Sequence, residues 1–300
     1  MPFFSIVIPT YNRAEKLKVT IDSVLNQSFQ DFELLIMDDG STDHTESIIE
    51  SYNDSRIYYT KEGNSGGPAT PRNNGLALAK GIWVSFLDAD DIWYPDRLKT
   101  VFQAISLNPS YDLFSHNEIL FDVQRGTKVT LFYGPYENDF YKVLLTNGNR
   151  LSTSAVTIRV DILRQNNLKF NEASNYIIVE DYDLWLQLAN KKARFFFMNE
   201  VLGEYIIDSD NISSVIERID FNQRQMLSIH VFNIQTFEVN KNKLWKDVAN
   251  RLDIEKIQSL VGSKRIIEAF FLSLRIIFNS PLRTIKTISG KLKFKIRSKL

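Results

Sequence analysis

The sequence predicts an α/β fold with a mainly parallel sheet that is flanked by helices. Three observations predict it. Short apolar runs of strand type alternate with stretches of helical spacing through the first hundred residues. The connections between them are short, as in right-handed crossovers between parallel strands. The strand runs are apolar at consecutive positions, which is typical of strands that are buried on both faces.

The elements of the first half follow in order. Strands are expected at 4–8, 32–37, 57–59 and 83–87. Apolar residues at helical spacing place helices around 17–25, 48–52, 76–78 and 98–105. We expect Pro9 to stop the first strand, and Ser41, Thr42 or Asp43 to cap the second helix.

The second half is less regular. Strands are expected at 113–114, 119–121 and 153–158, with two more inside 193–207 and a helix over 181–189. Beyond about residue 214, Gly and Pro almost vanish and helical spacing dominates, so we place a domain boundary near 210 and a helical C-terminal region over 211–300.

Composition narrows the possible chemistry. The chain of 300 residues has no cysteine, which excludes a disulfide scaffold, a Cys-ligated metal site and a Cys nucleophile. Its 36 Lys and Arg balance 36 Asp and Glu, but segment 264–300 carries ten Lys and Arg against one Glu, which makes it +9 and the remainder −9. No window of 18 apolar residues and no basic leader are visible, so we expect neither a transmembrane helix nor a signal peptide.

Polar clusters follow three of the predicted strands. They occupy 10–13, 38–39 and 88–91. Ligands of open parallel sheets bind beyond the carboxyl ends of the strands, so three clusters at one edge indicate a ligand site. The alternative is that these acids and amides only form turns, which explains a single cluster better than three.

The residues of these clusters suit a phosphorylated ligand. Asp88 and Asp90 can both face one site and offer oxygen ligands to Mg²⁺ or Mn²⁺ shared with a diphosphate. Asp39 is either a partner for a base or ribose, or a turn acid. The Gly-rich loop 63–68 leads to Arg72 near a helix start, which favours phosphate, although the loop matches neither a P-loop nor a dinucleotide fingerprint.

A fourth acidic cluster lies at 180–183, at the start of a predicted helix. Its acids either stabilise the positive end of that helix or include a general base. Asp181 and Trp185 are four residues apart and would share a helix face, which would pair an acid with an aromatic platform for a sugar.

Together these segments resemble family 2 glycosyltransferases, the inverting enzymes with a GT-A fold. The resemblance rests on 5–13, 23–29, 32–43, 64–73, 86–91, 95–98 and, less specifically, 180–186. One departure is Pro71, where alanine is usual; proline is tolerated in the first turn of a helix. The resemblance implies a hexosyl- or N-acetylhexosaminyltransferase that uses a nucleotide-diphosphate sugar, usually a UDP-sugar, with Mn²⁺ or Mg²⁺. It also implies a glycan or lipid-linked acceptor in cell-surface polysaccharide synthesis.

The resemblance divides residues 1–210 into a nucleotide-binding half, 1–100, and an acceptor-binding half, 101–210. The donor-binding positions that it implies are Pro9, Thr10, Tyr11, Asn12, Asp39, Arg72, Asp88, Ala89 and Asp90. Tyr11 would lie against the uracil, and Arg72 would hold the nucleotide part of the donor. Asp90 would be the metal ligand, with Asp88 reaching the ribose or the water shell of the metal.

The same resemblance places the transfer reaction near the fourth acidic cluster. Asp181 would be the catalytic base, with Glu180 and Trp185 on the acceptor side. The base would take the proton of an acceptor hydroxyl as that oxygen attacks the anomeric carbon.

Segment 264–300 is a basic amphipathic tail in sequence. Its first part places Ile267, Phe270, Phe271, Leu274 and Phe278 on one helix face. We expect it to bind an anionic membrane, which would make the protein cytoplasmic and peripheral. The alternative is packing on the acidic body. The stretch 291–297 also alternates like a strand, and no nucleic-acid motif accompanies the charge.

Two other functions compete with the glycosyltransferase interpretation. A sugar-nucleotide-forming nucleotidylyltransferase should carry a basic Gly-rich loop after its first strand, where this chain has Pro9, Thr10, Tyr11 and Asn12. A non-catalytic nucleotide-sugar-binding protein would not need the acids at 88, 90 and 181.

Overall fold

The computed structural model describes residues 1–208, 215–279, 281–285 and 287–289. The chain forms two compact units. The first unit comprises Met1–Tyr136 and Leu151–Ser209, and the second comprises Glu137–Arg150 and Asp210–Leu300. Segment Glu137–Arg150, which interrupts the first unit in sequence, belongs to the second unit.

The strands of the first unit form one sheet. They are β1 (Phe4–Thr10), β2 (Phe32–Asp38), β3 (Ile57–Lys61), β4 (Trp83–Phe86), β5 (Ile92–Trp93), β6 (Leu113–Asp122), β7 (Thr127–Leu131), β8 (Val156–Arg159) and β9 (Phe195–Ile207). The helices of this unit are α1 (Ala14–Leu25), α2 (Thr45–Glu50), α3 (Ala69–Leu78), α4 (Arg97–Leu107), α6 (Val160–Gln165) and α7 (Glu180–Asn190), while α5 (Phe140–Asn147) belongs to the second unit.

The sheet runs in the order β3-β2-β1-β4-β8-β6-β9-β5, with β7 paired to β6. Strands β1 to β4 are parallel to one another, as the crossovers predict. Strand β8 enters antiparallel between β4 and β6, and β6 and β9 are again parallel. The predicted α/β class with a mainly parallel, helix-flanked sheet is confirmed.

Burial explains why the first half follows the sequence pattern closely. Leu17, Ile21 and Val24 of α1 are completely buried against the sheet, and burial of such side chains contributes about 1.5–3 kcal/mol each. Helix α3 approaches β1 closely at Gly75, where a Cβ atom would lie 2.4 Å from Cγ1 of Val7. Parallel pairing of β1 with β2 and β4 places the carboxyl ends of these strands at one edge.

Strand β1 does not stop at Pro9, as predicted, but continues to Thr10. The physical reason is that β4 ends at Phe86 opposite Val7, so Pro9 has a strand neighbour only on the β2 side. Helix α2 begins at Thr45, and Asp43, one of the predicted caps, accepts hydrogen bonds from its amide at 3.1 Å and its hydroxyl at 2.6 Å.

Three predictions for the second half were wrong in detail. Residues 193–207 contain one strand, β9, rather than two, because register shifts against β6 interrupt its side-chain alternation. The two predicted strands at 113–114 and 119–121 are one strand, β6. Residues Thr153–Ala155 form a 3₁₀ turn, and the strand expected there begins only at Val156.

The second unit is helical. Besides α5 it contains α8 (Ile216–Ile229), which continues into a π-helical turn over His230–Ile234, α9 (Lys241–Gly262) and α10 (Ile266–Asn279). Residues 281–285 and 287–289 are also helical. Helix α10 packs on α9 through a buried face that includes Ala269 and Ile276.

The opposite face of α10 is apolar and exposed. Ile267, Phe270, Phe271 and Phe278 are each more than half exposed. The possible strand 291–297 lies outside the described residues. Within the described ranges, no helix is long and apolar enough to cross a bilayer.

Candidate active site

The predicted polar clusters do meet at one edge of the sheet. Thr10 lies beside Asp38 in the pairing of β1 with β2, and the carbonyl oxygen of Thr10 accepts the amide of Asp39 at 2.9 Å. The end of β4 lies on the other side of β1, where the amide of Leu87 donates to Val7 at 3.0 Å. The sheet register therefore brings the residues after three strands to one place.

The two acids after β2 have different surroundings. The carboxylate of Asp38 is hydrogen-bonded within the protein. It accepts the amide of Ser41 in the turn after β2 at 2.8 Å and the hydroxyl of Tyr59 in β3 at 2.9 Å. Asp39 instead accepts the Ser65 amide at 2.9 Å, which ties it to the Gly-rich loop. The structure thus separates a turn acid from the acid predicted to contact the donor.

The residues after β1 build the rim of this edge. Asn12 adopts a left-handed conformation with φ of 50° and accepts the amides of Thr42 and Asp43 through its side chain. The ring of Tyr11 is 45% exposed at the same rim, while Thr10 is buried and its hydroxyl has no hydrogen-bond partner among the described residues. An exposed ring beside a buried unpaired hydroxyl suits a planar ligand with polar groups.

Glycine is required where the loops after β2 and β3 meet. Gly40 has φ of 83°, and a Cβ atom on it would lie 2.9 Å from the amide nitrogen of Asn64. Gly66 has φ of 87° and donates its amide to the side chain of Asn64 at 2.8 Å. This close approach keeps the Gly-rich loop against Asp39.

Arg72 of α3 connects β4 to α7. Its Nη2 donates to Asp88 at 2.6 Å and its Nη1 to Glu180 at 2.7 Å, while the guanidinium carbon lies 5.3 Å from the ring centre of Phe170. Burial alone would lower the pKa of Arg72, but the charges of Asp88 and Glu180 outweigh it and raise that pKa above its ordinary value. Arg72 therefore stays charged inside the protein.

This pair of bonds refines the predicted role of Arg72. Both terminal nitrogens are used by carboxylates, whereas Nε of Arg72 and the second oxygen of Glu180 lack partners within the described part of the chain. Helix α3 passes through Pro71 in its first turn without interruption, as expected. Arg72 thus holds the end of β4 and the start of α7 together.

The residues after β4 alternate in exposure. Asp88 and Asp90 are partly exposed, whereas Ala89 and Asp91 are buried. Asp91 accepts the Ile206 amide at 2.9 Å and the hydroxyl of Ser154, so it anchors the loop. Burial, together with the charge of Asp88, raises the pKa of Asp90 to about 6.

The arrangement of Asp88 and Asp90 fits a divalent cation. Two carboxylates that repel each other supply the oxygen donors that Mg²⁺ and Mn²⁺ prefer. Across the described residues, no group of three or more His, Asp or Glu side chains converges. Two carboxylates would leave most coordination positions of such a cation to other oxygen ligands.

The start of α7 contributes the last acids. Asp181 is partly exposed, and its carboxylate accepts the Thr153 hydroxyl at 3.2 Å and the Tyr182 amide at 2.6 Å. Burial and the charge of Glu180 raise its pKa to about 7, against the opposing charge of Arg72. A carboxylate with a raised pKa and access to solvent has the properties of a general base.

Trp185 does not lie where its predicted role requires. Its ring is completely buried and packs edge-on against Phe170, with centroids 6.5 Å apart. Spacing of four residues does place it on the side of Asp181, but α7 is buried on nearly all sides, so this ring faces the core. A buried ring offers no surface on which an acceptor sugar can stack.

Sequence patterns also missed residues that contact the site. Thr153 donates its hydroxyl to Asp181. Ser154 accepts the amide of Asp88 and donates its hydroxyl to Asp91. The run of hydroxyl residues at 152–154 was a visible signal, but the apolar residues after it suggested a strand instead.

An open, mainly parallel sheet with a carboxylate pair after β4 and a partly exposed acid at the start of α7 is typical of the glycosyltransferase class that the sequence resembles. The comparisons agree with this class. The family model of glycosyl transferase family 2 matches residues 5–164. The chain belongs to that family and is a glycosyltransferase. This result decides against the nucleotidylyltransferase and the non-catalytic alternatives.

Relatives and solved structures are similar over most of the chain. A putative teichuronic acid biosynthesis glycosyltransferase of Bacillus subtilis, TuaG, is 31% identical over 215 residues, which are 71% of this chain and 82% of the relative. UDP-Glc:alpha-D-GlcNAc-diphosphoundecaprenol beta-1,3-glucosyltransferase WfaP of Escherichia coli is 29% identical over 71% of this chain and 81% of its own length.

The fold is also similar to a solved structure. S. aureus TarS 1-349 in complex with UDP-GlcNAc superimposes with a TM-score of 0.65 at 22% identity, and the match covers 97% of this chain and 92% of that one. At this identity the likeness concerns the fold, which is of the expected glycosyltransferase type.

Proposed function

We propose that the protein transfers a sugar from a UDP-sugar to a hydroxyl group of a lipid-linked saccharide in cell-surface polysaccharide synthesis, with inversion at the anomeric carbon. The observation that carries this proposal is the pair of hydrogen bonds by which the buried Arg72 joins Asp88 to Glu180, beside Asp181. These bonds join the edge of the sheet where β1, β2 and β4 end, which we call the donor edge, to a carboxylate that has the properties of a base.

The donor edge supports a uridine nucleotide. The exposed ring of Tyr11 provides a stacking surface for a base, and Asp39 and the unpaired hydroxyl of Thr10 provide hydrogen-bonding groups beside it. The name of the E. coli relative specifies UDP-Glc, and the TarS structure contains UDP-GlcNAc. We therefore expect UDP-glucose or UDP-N-acetylglucosamine as the donor.

Asp90 and Asp88 would hold Mn²⁺ or Mg²⁺ at the diphosphate. Such a cation, when bound, neutralises the charge that collects on the departing diphosphate. Arg72 keeps Asp88 in place and adds a buried positive charge on the same side of the sheet. Both contributions favour a leaving group that departs without a proton.

Asp181 acts as the base in this proposal. Its carboxylate takes the proton of the acceptor hydroxyl while the hydroxyl oxygen forms a bond to the anomeric carbon. The bond from that carbon to the diphosphate oxygen breaks on the opposite face, and UDP leaves with the electron pair. The raised pKa of Asp181 favours proton acceptance, because a carboxylate with a higher pKa is a stronger base.

The acceptor class rests on the relatives. The names of these relatives specify teichuronic acid biosynthesis in B. subtilis and a diphosphoundecaprenol-linked GlcNAc in E. coli. The latter enzyme makes a beta-1,3 linkage. A lipid-diphosphate saccharide is therefore the acceptor to test first.

A donor screen followed by product analysis tests the proposal. UDP-glucose, UDP-N-acetylglucosamine and, as a mismatched control, GDP-mannose are added with Mn²⁺ while the unfolding temperature is followed. The stabilising donor is then incubated with GlcNAc-diphosphoundecaprenol, and the anomeric configuration of the product is determined by NMR. A UDP-sugar that stabilises the protein and yields a β-linked product supports the proposal. Stabilisation by GDP-mannose alone, or an α-linked product, contradicts it.

The exposed apolar face of α10 supports peripheral membrane binding. Phe270 and Phe271 are 58% and 64% exposed, and the segment that contains them carries nine net positive charges in sequence. We propose that this face enters the headgroup region of an anionic membrane on its cytoplasmic side, close to a lipid-linked acceptor. The alternative is that the tail covers part of the protein itself.

Vesicle flotation distinguishes these two roles. The full chain should float with vesicles that contain phosphatidylglycerol and less with phosphatidylcholine vesicles, since anionic lipid attracts basic segments. The double substitution Phe270→Ser and Phe271→Ser should abolish flotation, whereas Val239→Ser, an exposed apolar residue outside α10, should not. Flotation of the double variant at the level of the unchanged protein contradicts membrane insertion through α10.

A further inference from the structure

The turn Thr153–Ala155 touches two separate parts of the proposed active site. The hydroxyl of Thr153 donates to the carboxylate of Asp181 at 3.2 Å. The hydroxyl of the next residue, Ser154, accepts the amide of Asp88 at 3.1 Å and donates to Asp91. Neighbouring residues of one turn thus bond to the proposed base and to the loop of the carboxylate pair.

The turn is held firmly in place. Thr153 and Ser154 are 6% and 1% exposed, and the indole nitrogen of Trp93 donates to the carbonyl oxygen of Ser154 at 2.8 Å. Asp91, which accepts the Ser154 hydroxyl, is itself bonded to the amide of Ile206. Because the Ser154 hydroxyl donates its proton to Asp91, its oxygen is free to accept the backbone amide of Asp88.

We infer that Thr153 and Ser154 are positioning residues, which set the distance and orientation of the Asp181 carboxylate relative to the loop of Asp88 and Asp90. This inference rests on the proposed function. In an inverting transfer the base and the diphosphate lie on opposite sides of the anomeric carbon, so their separation must match the substrate. Misplacement by about 1 Å can cost two orders of magnitude in rate.

The preceding residue provides a matched control. Ser152 hydrogen-bonds to the buried Glu118 and to Tyr133, neither of which is assigned to donor, cation or base. Ser152→Ala removes one hydroxyl from the same segment of chain, as Ser154→Ala does. Any loss that comes only from disturbing the segment should therefore appear in Ser152→Ala as well.

Thr153→Val tests the contact with the base. Valine keeps the shape of threonine but cannot donate a hydrogen bond to Asp181. The charged groups that face Asp181 are Glu180 on its own helix and Arg72 from α3. We expect the affinity for UDP-glucose to stay within about twofold while kcat falls about tenfold, the value of one ordinary hydrogen bond. The hydrogen bond from Thr153 favours the ionised carboxylate, so its loss should raise the pKa of Asp181. The acidic limb of the pH profile of kcat should therefore move to higher pH. Thr153→Ser keeps a hydroxyl at this position. It should retain most of kcat, and the acidic limb of its pH profile should lie at the same pH as in the unchanged protein.

Ser154→Ala tests the contact with the carboxylate loop. We expect its affinity for UDP-glucose in the presence of Mn²⁺ to fall about tenfold, because the Asp88 amide loses its partner. The affinity should change much less when Mn²⁺ is replaced by EDTA. Ser152→Ala should stay within about twofold of the unchanged protein in both measurements, and unfolding temperatures show whether each variant is folded.

The outcomes separate this inference from the proposed function. A Thr153→Val variant with unchanged kcat and an unmoved acidic limb, together with an inactive Asp181→Asn, overturns the inference alone. Equal losses in Ser152→Ala and Thr153→Val also overturn it, since the effect then belongs to the fold of the segment. If Asp181→Asn itself turns over normally, the assignment of the base fails, and with it the proposed function.

Discussion

Replacing Arg72 by methionine should destabilise the first unit strongly. Arg72 and Glu180 are each 3% exposed, and their side chains are paired at 2.7 Å. The substitution leaves the Glu180 carboxylate buried without its cation, a change that typically costs about 3–5 kcal/mol. Asp88 loses the same partner, but its side chain is 32% exposed, so this adds little to the loss in free energy of unfolding. The expected loss is a large share of a total stability of about 5–15 kcal/mol.

A second variant tests this explanation directly. If the buried charge causes the loss, the double variant Arg72→Met with Glu180→Gln should recover most of the free energy of unfolding. Urea unfolding followed by tryptophan fluorescence suits this test, because Trp83, Trp93 and Trp185 are all buried in the first unit.

An exposed ion pair provides the control. Arg125 bonds to Asp122 at 3.1 Å, but its side chain is 62% exposed, so Arg125→Met should change the free energy of unfolding by less than about 1 kcal/mol. Equal effects of Arg72→Met and Arg125→Met would refute the reasoning. So would a double variant that is no more stable than Arg72→Met.

Two further predictions concern pH and packing. Because Asp181 must be ionised to accept a proton, kcat should rise with pH through about 7. The contribution of Asp181 to the free energy of unfolding should fall as the pH rises from 3.8 to about 7. In this range the unfolded chain releases a proton that the folded chain keeps. Urea titrations across this range should show that Asp181→Asn removes this slope. Gly75→Ala should lower the free energy of unfolding by about 1–3 kcal/mol, since its Cβ would lie 2.4 Å from Val7, while Gly63→Ala, which meets open space, should change it little.

The parallel half of the fold was predictable because its signals are local. Consecutive apolar residues in β1, β2 and β4 require burial on both faces, and turn residues follow each strand. Once the strands are parallel, the register brings Thr10, Asp39 and Asp88 to one edge without further information. The donor edge therefore follows from strand order alone.

The remaining features depend on contacts that spacing does not encode. Trp185 shares a helix side with Asp181, but only the packing around α7 decides that this ring enters the core. Asp91 looks in sequence like another member of an acidic turn, yet its bond to Ser154 crosses 63 positions of the chain. The single strand β9 likewise owes its length to pairing with β6, which overrides its irregular alternation.

The most direct test of the central claim compares the unchanged enzyme with Asp181→Asn in two measurements. One is the affinity for the stabilising UDP-sugar in the presence of Mn²⁺, and the other is the rate of transfer to GlcNAc-diphosphoundecaprenol. If Asp181 is the base, donor affinity should stay close to that of the unchanged enzyme while the rate falls by about 10²–10⁴-fold. Near-normal transfer by Asp181→Asn would contradict the account.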